Sequence, residues 1–127
     1  MNEEKWTKLW FDPFDVQFAA ETSGMEYAIQ SPGQSDWPAT TWNMVTITRD
    51  NTNIPLIYIN GAAVATTGTF TNPACSTNSL TFGTCVDSQG VHNLDGDIWL
   101  CQIWSTSLAQ TNIAKLYCNQ LSGVPWP

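Results

Sequence analysis

Apolar and polar residues alternate with period two along several short stretches of this chain, and each stretch is bounded by Gly, Pro, Asn or Ser. Val16, Phe18 and Ala20 alternate ahead of Thr22-Ser23-Gly24, and Met25, Tyr27 and Ile29 alternate behind it. That pattern predicts a hairpin over Asp15–Gln30. From Trp42 to Arg49 the period holds again, with Asn43, Val45 and Ile47 on one face and Trp42, Met44 and Thr46 on the other. Arg49–Asn53 reads as a turn. Ile54–Ile59 is a nearly unbroken apolar run, as expected of a strand covered on both faces. Asn60-Gly61 then supplies the two positive-φ positions of a type I′ turn, and Ala62–Thr67 is the return strand.

Beyond this centre the signals thin. Gly68–Ser79 reads as loop, Leu80–Phe82 as a short strand ended by Gly83, and Thr84–Asn93 as loop again. Asp97–Ser105 predicts a strand with Ile98, Leu100 and Trp104 at alternate positions. Ser107 followed by Gln110 predicts a capping box. The helix that follows carries Ile113, Leu116, Tyr117 and Leu121 on one face, ends at Gly123, and is barred from continuing by Pro125 and Pro127. About seven short strands and one late helix predict an all-β sandwich. At 127 residues the chain makes one domain. Its first 30 residues are rich in aromatics (Trp6, Trp10, Phe11, Phe14) and form either extra strands of that sandwich or a docking arm.

Composition narrows the function. Charged residues make up only 12% of the chain, about half the usual share. Four basic side chains against eleven acidic ones give a net charge of −7. Lys5, Lys8, Arg49 and Lys115 are scattered, whereas nucleic acid demands clustered cations to displace counterions from phosphate. Nucleic-acid binding and electrostatic attachment to an anionic membrane are therefore not expected. No window is apolar enough to insert in a membrane, and the charged start MNEEKWTKLW does not read as a signal peptide. An acidic chain whose polar surface is mostly Thr, Asn, Ser and Gln suits an extracellular or virion-surface protein. Cys75, Cys85, Cys101 and Cys118 allow three disulfide pairings. Cys75–Cys85 would close the Leu80–Gly83 loop, and Cys101–Cys118 would link the last strand to the helix; reduced, buried thiols are the alternative. With no CxxC and His92 as the single histidine, a zinc site is not expected.

Three segments in order, WNMVTITRD with IYINGAAV, then LTFG, then LDGDIWLCQIWSTSLAQTNIAKLY, resemble the laminin-G-like branch of the concanavalin A-like lectin/glucanase superfamily. The resemblance rests on Trp42, Val45, Arg49, Asp50, Tyr58, Asn60, Gly61, Gly83, Gly96, Ile98, Ile103, Trp104, Leu108, Ile113, Leu116 and Tyr117. It implies a concanavalin A-like jelly-roll β-sandwich with one short C-terminal helix. It also implies carbohydrate binding or adhesion. Little of the chain precedes Trp42 compared with such domains, so residues 6–30 must replace the early strands, or another chain must cover an open sheet edge. Self-association or docking to another protein chain is expected on that ground. Many relatives hold a structural calcium through an acid just after the Ile of the G-x-I stretch. Here that position is Trp99, leaving Asn93, Asp95 and Asp97 as the candidate calcium ligands; no cofactor is otherwise required.

Glucanases of the superfamily use carboxylates on one strand in a motif resembling E-x-D-x-E, held about 5 Å apart for retention of configuration. This chain has no such motif, and Asp95-Gly96-Asp97 reads as a turn. A Ser/His/Asp arrangement fails for want of a nucleophile elbow around which His92 could act. The expectation is a non-catalytic binding module. A structural subunit of a virion or other extracellular assembly is the alternative, and a degenerate glucanase a distant one. Glycans are recognised by aromatic stacking and amide or carboxylate hydrogen bonds. Trp37, in a loop between Asp36 and Pro38, and Trp99 are the leading platforms, Trp6 and Trp10 further ones, with Asn60 and Asp87 as hydrogen-bonding candidates. Trp42 and Trp104 read as core.

Overall fold

The computed structural model describes residues 6–11, 16–22, 25–30, 41–49, 55–65, 67–69, 84–87, 90–93 and 96–121. In chain order its elements are β1 (Trp6–Phe11), β2 (Val16–Thr22), β3 (Met25–Gln30), β4 (Val45–Thr48), β5 (Leu56–Ile59), β6 (Ala62–Ala63), β7 (Thr67–Thr69), β8 (Thr84–Asp87), β9 (Gly90–Asn93) and one helix, α1 (Gln110–Leu121). Strands β1, β2, β3 and β7 form an antiparallel sheet in that order; β4, β5 and β6 form a second; β8 and β9 pair as a hairpin.

The Asn60-Gly61 turn organises the second sheet. Asn60 has φ 52° and Gly61 φ 82°, the two left-handed positions of a type I′ turn. Such a turn matches the natural twist of the strands it joins, which is why Asn-Gly recurs at this position. It sets Ile59 opposite Ala62 and Tyr58 opposite Ala63, and the Val64 amide donates to the Ile57 carbonyl at 3.0 Å. On the other side β4 pairs with β5 in the register Val45–Ile59, Thr46–Tyr58, Ile47–Ile57 and Thr48–Leu56. Past its last pair Asn60 extends this ladder. Its amide donates to the Met44 carbonyl at 2.8 Å, its side-chain Oδ1 accepts from the Met44 amide at 2.9 Å, and its Nδ2 donates to Asn43 Oδ1 at 3.0 Å.

Helix α1 lies against this turn. A Cβ on Gly61 would stand 3.1 Å from the Ala114 Cα and 3.2 Å from the Tyr117 Cβ. Among the described residues the core is Ile57, Tyr58 and Ile59 from β5, Pro55 just before it, and Ile113 and Leu116 from α1. Ile57 and Ile113 have no exposed surface at all. Burial of aliphatic side chains of this size contributes about 1.5–3 kcal/mol each. Ile57, Tyr58 and Ile59 are buried on both faces of their strand, in keeping with the apolar run, while Leu56 at its start is exposed.

Several expectations are met. The hairpin over 15–30 forms as β2 and β3, with Thr22 opposite Met25, and β1 adds a third strand, so residues 6–11 enter a sheet. Others are corrected. The return strand stops at Ala63, and Thr67–Thr69 pairs instead with β3 in the other sheet. Residues 84–93, expected as loop, form the β8–β9 hairpin, with Val86 opposite Val91. Asp97–Ser105, expected as a strand, is neither strand nor helix, because no described strand pairs with it. The helix begins at Gln110, which Ser107 does not cap: the Ala109 carbonyl accepts from the amides of Asn112 and Ile113 at 2.9 and 3.1 Å. Burial of Ile113 and Leu116 fixes where the helix lies, outweighing the local capping preference. The expected strand Leu80–Phe82, the turn at 50–53 and the helix stop at Gly123 lie outside the described residues.

Gly61→Ala should lower stability by about 2–4 kcal/mol, combining a left-handed backbone for a residue with a Cβ and a forced approach to α1. Gly96, around which a Cβ would meet nothing within 4 Å, serves as the control, with Gly96→Ala expected to change stability by about 0.5 kcal/mol or less. Urea unfolding of both variants tests this, and equal midpoints would refute the packing of α1 on the turn.

Candidate functional site

Three indoles among the described residues lie at the surface. Trp42 is 66% exposed, Trp99 67% and Trp104 37%. Trp42 and Trp104, expected in the core, are corrected to surface positions. Trp42 precedes β4 and Trp104 lies in the unpaired 96–109 segment, so neither has a sheet face to cover it. Ile98, Leu100 and Ile103 of the same segment are exposed too.

The other candidates fare differently. Asn60 is half-buried, and its side chain serves the fold by accepting from the Met44 amide and donating to Asn43. Asp87 ends β8 opposite Gly90, while Asn93 ends β9 opposite Thr84. Three register steps separate those two pairs, about 10 Å, and an odd step puts them on opposite faces of the hairpin. Asp87 and Asn93 are therefore not brought into one site. Asp97 is exposed beside Gly96, and Trp37, Asp95 and Cys75 lie outside the described residues. Cys101 and Cys118 are both surface thiols, not joined to each other, and Cys85 stands opposite His92 in the β8–β9 register.

A calcium ion needs six to eight oxygen ligands converging at about 2.3–2.6 Å. The described residues do not supply that set: among them no three His, Cys, Asp or Glu side chains gather as a metal group, and Asp97 is the sole described carboxylate of the expected trio. Among the described residues no helix is long and apolar enough to cross a membrane.

Register in the four-stranded sheet brings together residues that sequence reading had left apart. Trp6, Glu21 and Glu26 form one row across β1, β2 and β3; Lys8, Ala19, Ala28 and Thr69 form the next row on that face; Trp10, Gln17, Gln30 and Thr67 form the third. The alternate positions, Leu9, Phe11, Val16, Phe18, Ala20, Met25, Tyr27 and Ile29 with Thr7, Thr22 and Gly68, make the opposite face almost wholly apolar. The signal for the polar face was present in the sequence as the residues between the alternating apolar ones. Strand pairing was needed to align them.

A family model described as "Concanavalin A-like lectin/glucanases superfamily", of laminin-G type, matches residues 2–114. No curated protein and no solved structure matches the chain.

If the exposed indoles are free of structural duty, Trp42→Ala and Trp99→Ala should each change stability by less than about 1 kcal/mol, whereas Ile113→Ala should cost about 2–5 kcal/mol. Urea midpoints decide it: a loss at Trp42 or Trp99 as large as that at Ile113 would return those indoles to the core.

Proposed function

The chain belongs to the concanavalin A-like lectin/glucanase superfamily, whose fold is a β-sandwich, and from that premise we propose that it is a non-catalytic jelly-roll module for carbohydrate binding or adhesion at a surface. The observation that carries this reading is the placement of indoles on the surface, with Trp42 and Trp99 about two-thirds exposed. An apolar ring left in water is an unfilled contact, and a sugar's C–H face is one partner that fills it. Charged residues are only 12% of the chain, and its neutral hydrogen-bonding groups match hydroxyl-rich ligands. The setting in which such a module works is extracellular or a virion surface.

The non-catalytic part of the reading has its own argument. Glu21 opposite Glu26 is the one in-register carboxylate pair among the described strands. It spans two strands and lies one step from the end of its hairpin, at Thr22–Met25, whereas the superfamily's catalytic carboxylates share a strand. Retaining hydrolysis needs an ionised nucleophile and a protonated acid on either side of one glycosidic bond.

A second reading has its own observation. Ile98, Leu100, Ile103 and Leu56 are exposed aliphatics, which stack poorly on sugars and pack well on another protein. They favour a structural subunit of a virion or other assembly that uses this surface for protein–protein packing.

A glycan array spanning plant, bacterial and algal polysaccharides, read with and without a calcium chelator, tests the first reading. Binding that survives chelation is expected, and silence across the array overturns it. Reducing-end release from a bound glycan would overturn the non-catalytic claim. Light scattering on the eluting protein tests the second reading, and a monomer at all concentrations removes it.

A further inference from the structure

We propose that residues 97–105 are a self-docking strand, which pairs antiparallel with the same segment of a second copy of this chain about a two-fold axis at Cys101. This rests on the protein-packing reading above and names its partner. The segment is unsatisfied in two ways. Ile98, Trp99, Leu100, Ile103 and Trp104 are all exposed, at odd and even positions alike. The backbone there is neither helix nor strand, and no backbone hydrogen bond joins it to another described residue. Unpaired N–H and C=O groups flanked by apolar side chains are a template for another strand.

The order of the residues identifies which strand. Ile98-Trp99 recurs five positions on as Ile103-Trp104. A two-fold axis normal to a sheet keeps each residue on its own face, so a strand can pair with its own copy only in registers that differ by steps of two. With Cys101 on the axis, Ile98 stands opposite Trp104 of the second copy, and Trp99 stands opposite its Ile103. Each indole then meets a β-branched side chain, a favourable cross-strand pair. Sliding two residues one way sets Ile98 against Gln102 and Trp99 against Cys101. Sliding two the other way sets Trp99 against Ser105 and Gln102 against itself. Only the centred register matches both Ile-Trp steps.

Charge and area agree with that pairing. The chain carries a net charge of −7, yet residues 98–105 hold no charged side chain. The two Asp97 carboxylates fall at opposite ends of the pair, about 27 Å apart, well beyond the screening length of about 10 Å. Trp99 is 67% and Ile103 73% exposed. The five apolar side chains offer about 600 Å² per copy, so a pair has about 1,200 Å² to bury, the lower bound for a specific interface. A dimer that dissociates on dilution is the consequence.

Sedimentation velocity on the full chain across a dilution series tests this. We expect monomer and dimer in equilibrium, with nothing larger, because a two-fold contact closes on itself. Trp99→Lys and Ile103→Glu should each weaken the dimer about tenfold or more, with the circular dichroism spectrum unchanged. Combined in one chain, the two changes place each new cation opposite a new anion in the centred register alone. The double variant should therefore dimerise about fivefold more tightly than either single one. Directly opposed strand positions lie within reach of a disulfide. Diamide, which takes up both thiol hydrogens as the S–S bond forms, should give a covalent dimer that Cys101→Ser abolishes while the sedimenting dimer remains. A dimer indifferent to the changes at Trp99 and Ile103 overturns this interface and leaves the protein-packing reading standing. Open-ended polymers overturn the two-fold pairing. A monomer at every concentration overturns both, and leaves this chain's own residues as the cover of 97–105.

Discussion

The structure turns on the contact between Gly61 and helix α1. A Cβ at this position would sit 3.1 Å from the helix backbone at Ala114, and the backbone there is left-handed. Both conditions call for glycine, and they arise together. The turn must be type I′ to send β6 back along β5, and the helix must come close for Ile113 and Leu116 to be buried with Ile57 and Ile59. Asn60 adds a clasp in the opposite direction, to the Met44 backbone and the Asn43 side chain. Two consecutive residues thus tie the chain entering β4, the β5–β6 hairpin and the only described helix into one packed unit.

Among the described residues the core at this junction is aliphatic apart from Tyr58 and Pro55, and Trp42, Trp99 and Trp104 lie outside it. Trp42 flanks the clasp within two residues of Met44 and yet faces water. The segment with the strongest family signature, Trp42–Gly61, is mostly occupied in holding itself together. Asn60 shows this most plainly: a polar side chain in a prominent turn, its amide group already engaged on both sides. A different set of polar positions shares register rows in the first thirty residues, on a sheet that follows its own alternation.

What was legible in the sequence was what is local. The Asn-Gly turn needs two adjacent residues, the 15–30 hairpin needs alternation either side of a Gly, and α1 needs a stripe of four apolar residues. Each carries its own signal. Asp97–Ser105 shows the limit. Ile98, Leu100 and Trp104 alternate as well as any strand here, but alternation describes a strand's readiness to pair and not the presence of a partner. The β8–β9 hairpin was missed for the converse reason: Val86 and Val91 are its chief β-branched pair, and its polar ends at Asp87 and Asn93 read as loop. Those two residues, read as a glycan hydrogen-bonding candidate and a calcium-ligand candidate, fall at opposite ends of the hairpin. The rows on the first sheet were invisible because each is assembled from three or four strands, and register is fixed by pairing and not by composition.

The account's central claim is that the packing of α1 on the Asn60-Gly61 turn holds the fold. Residue-resolved hydrogen–deuterium exchange tests it most directly. The amides of Ile57–Gly61 and Ile113–Leu116 should exchange slowest among the described residues. Exchange there as fast as in the exposed 96–109 segment would contradict it.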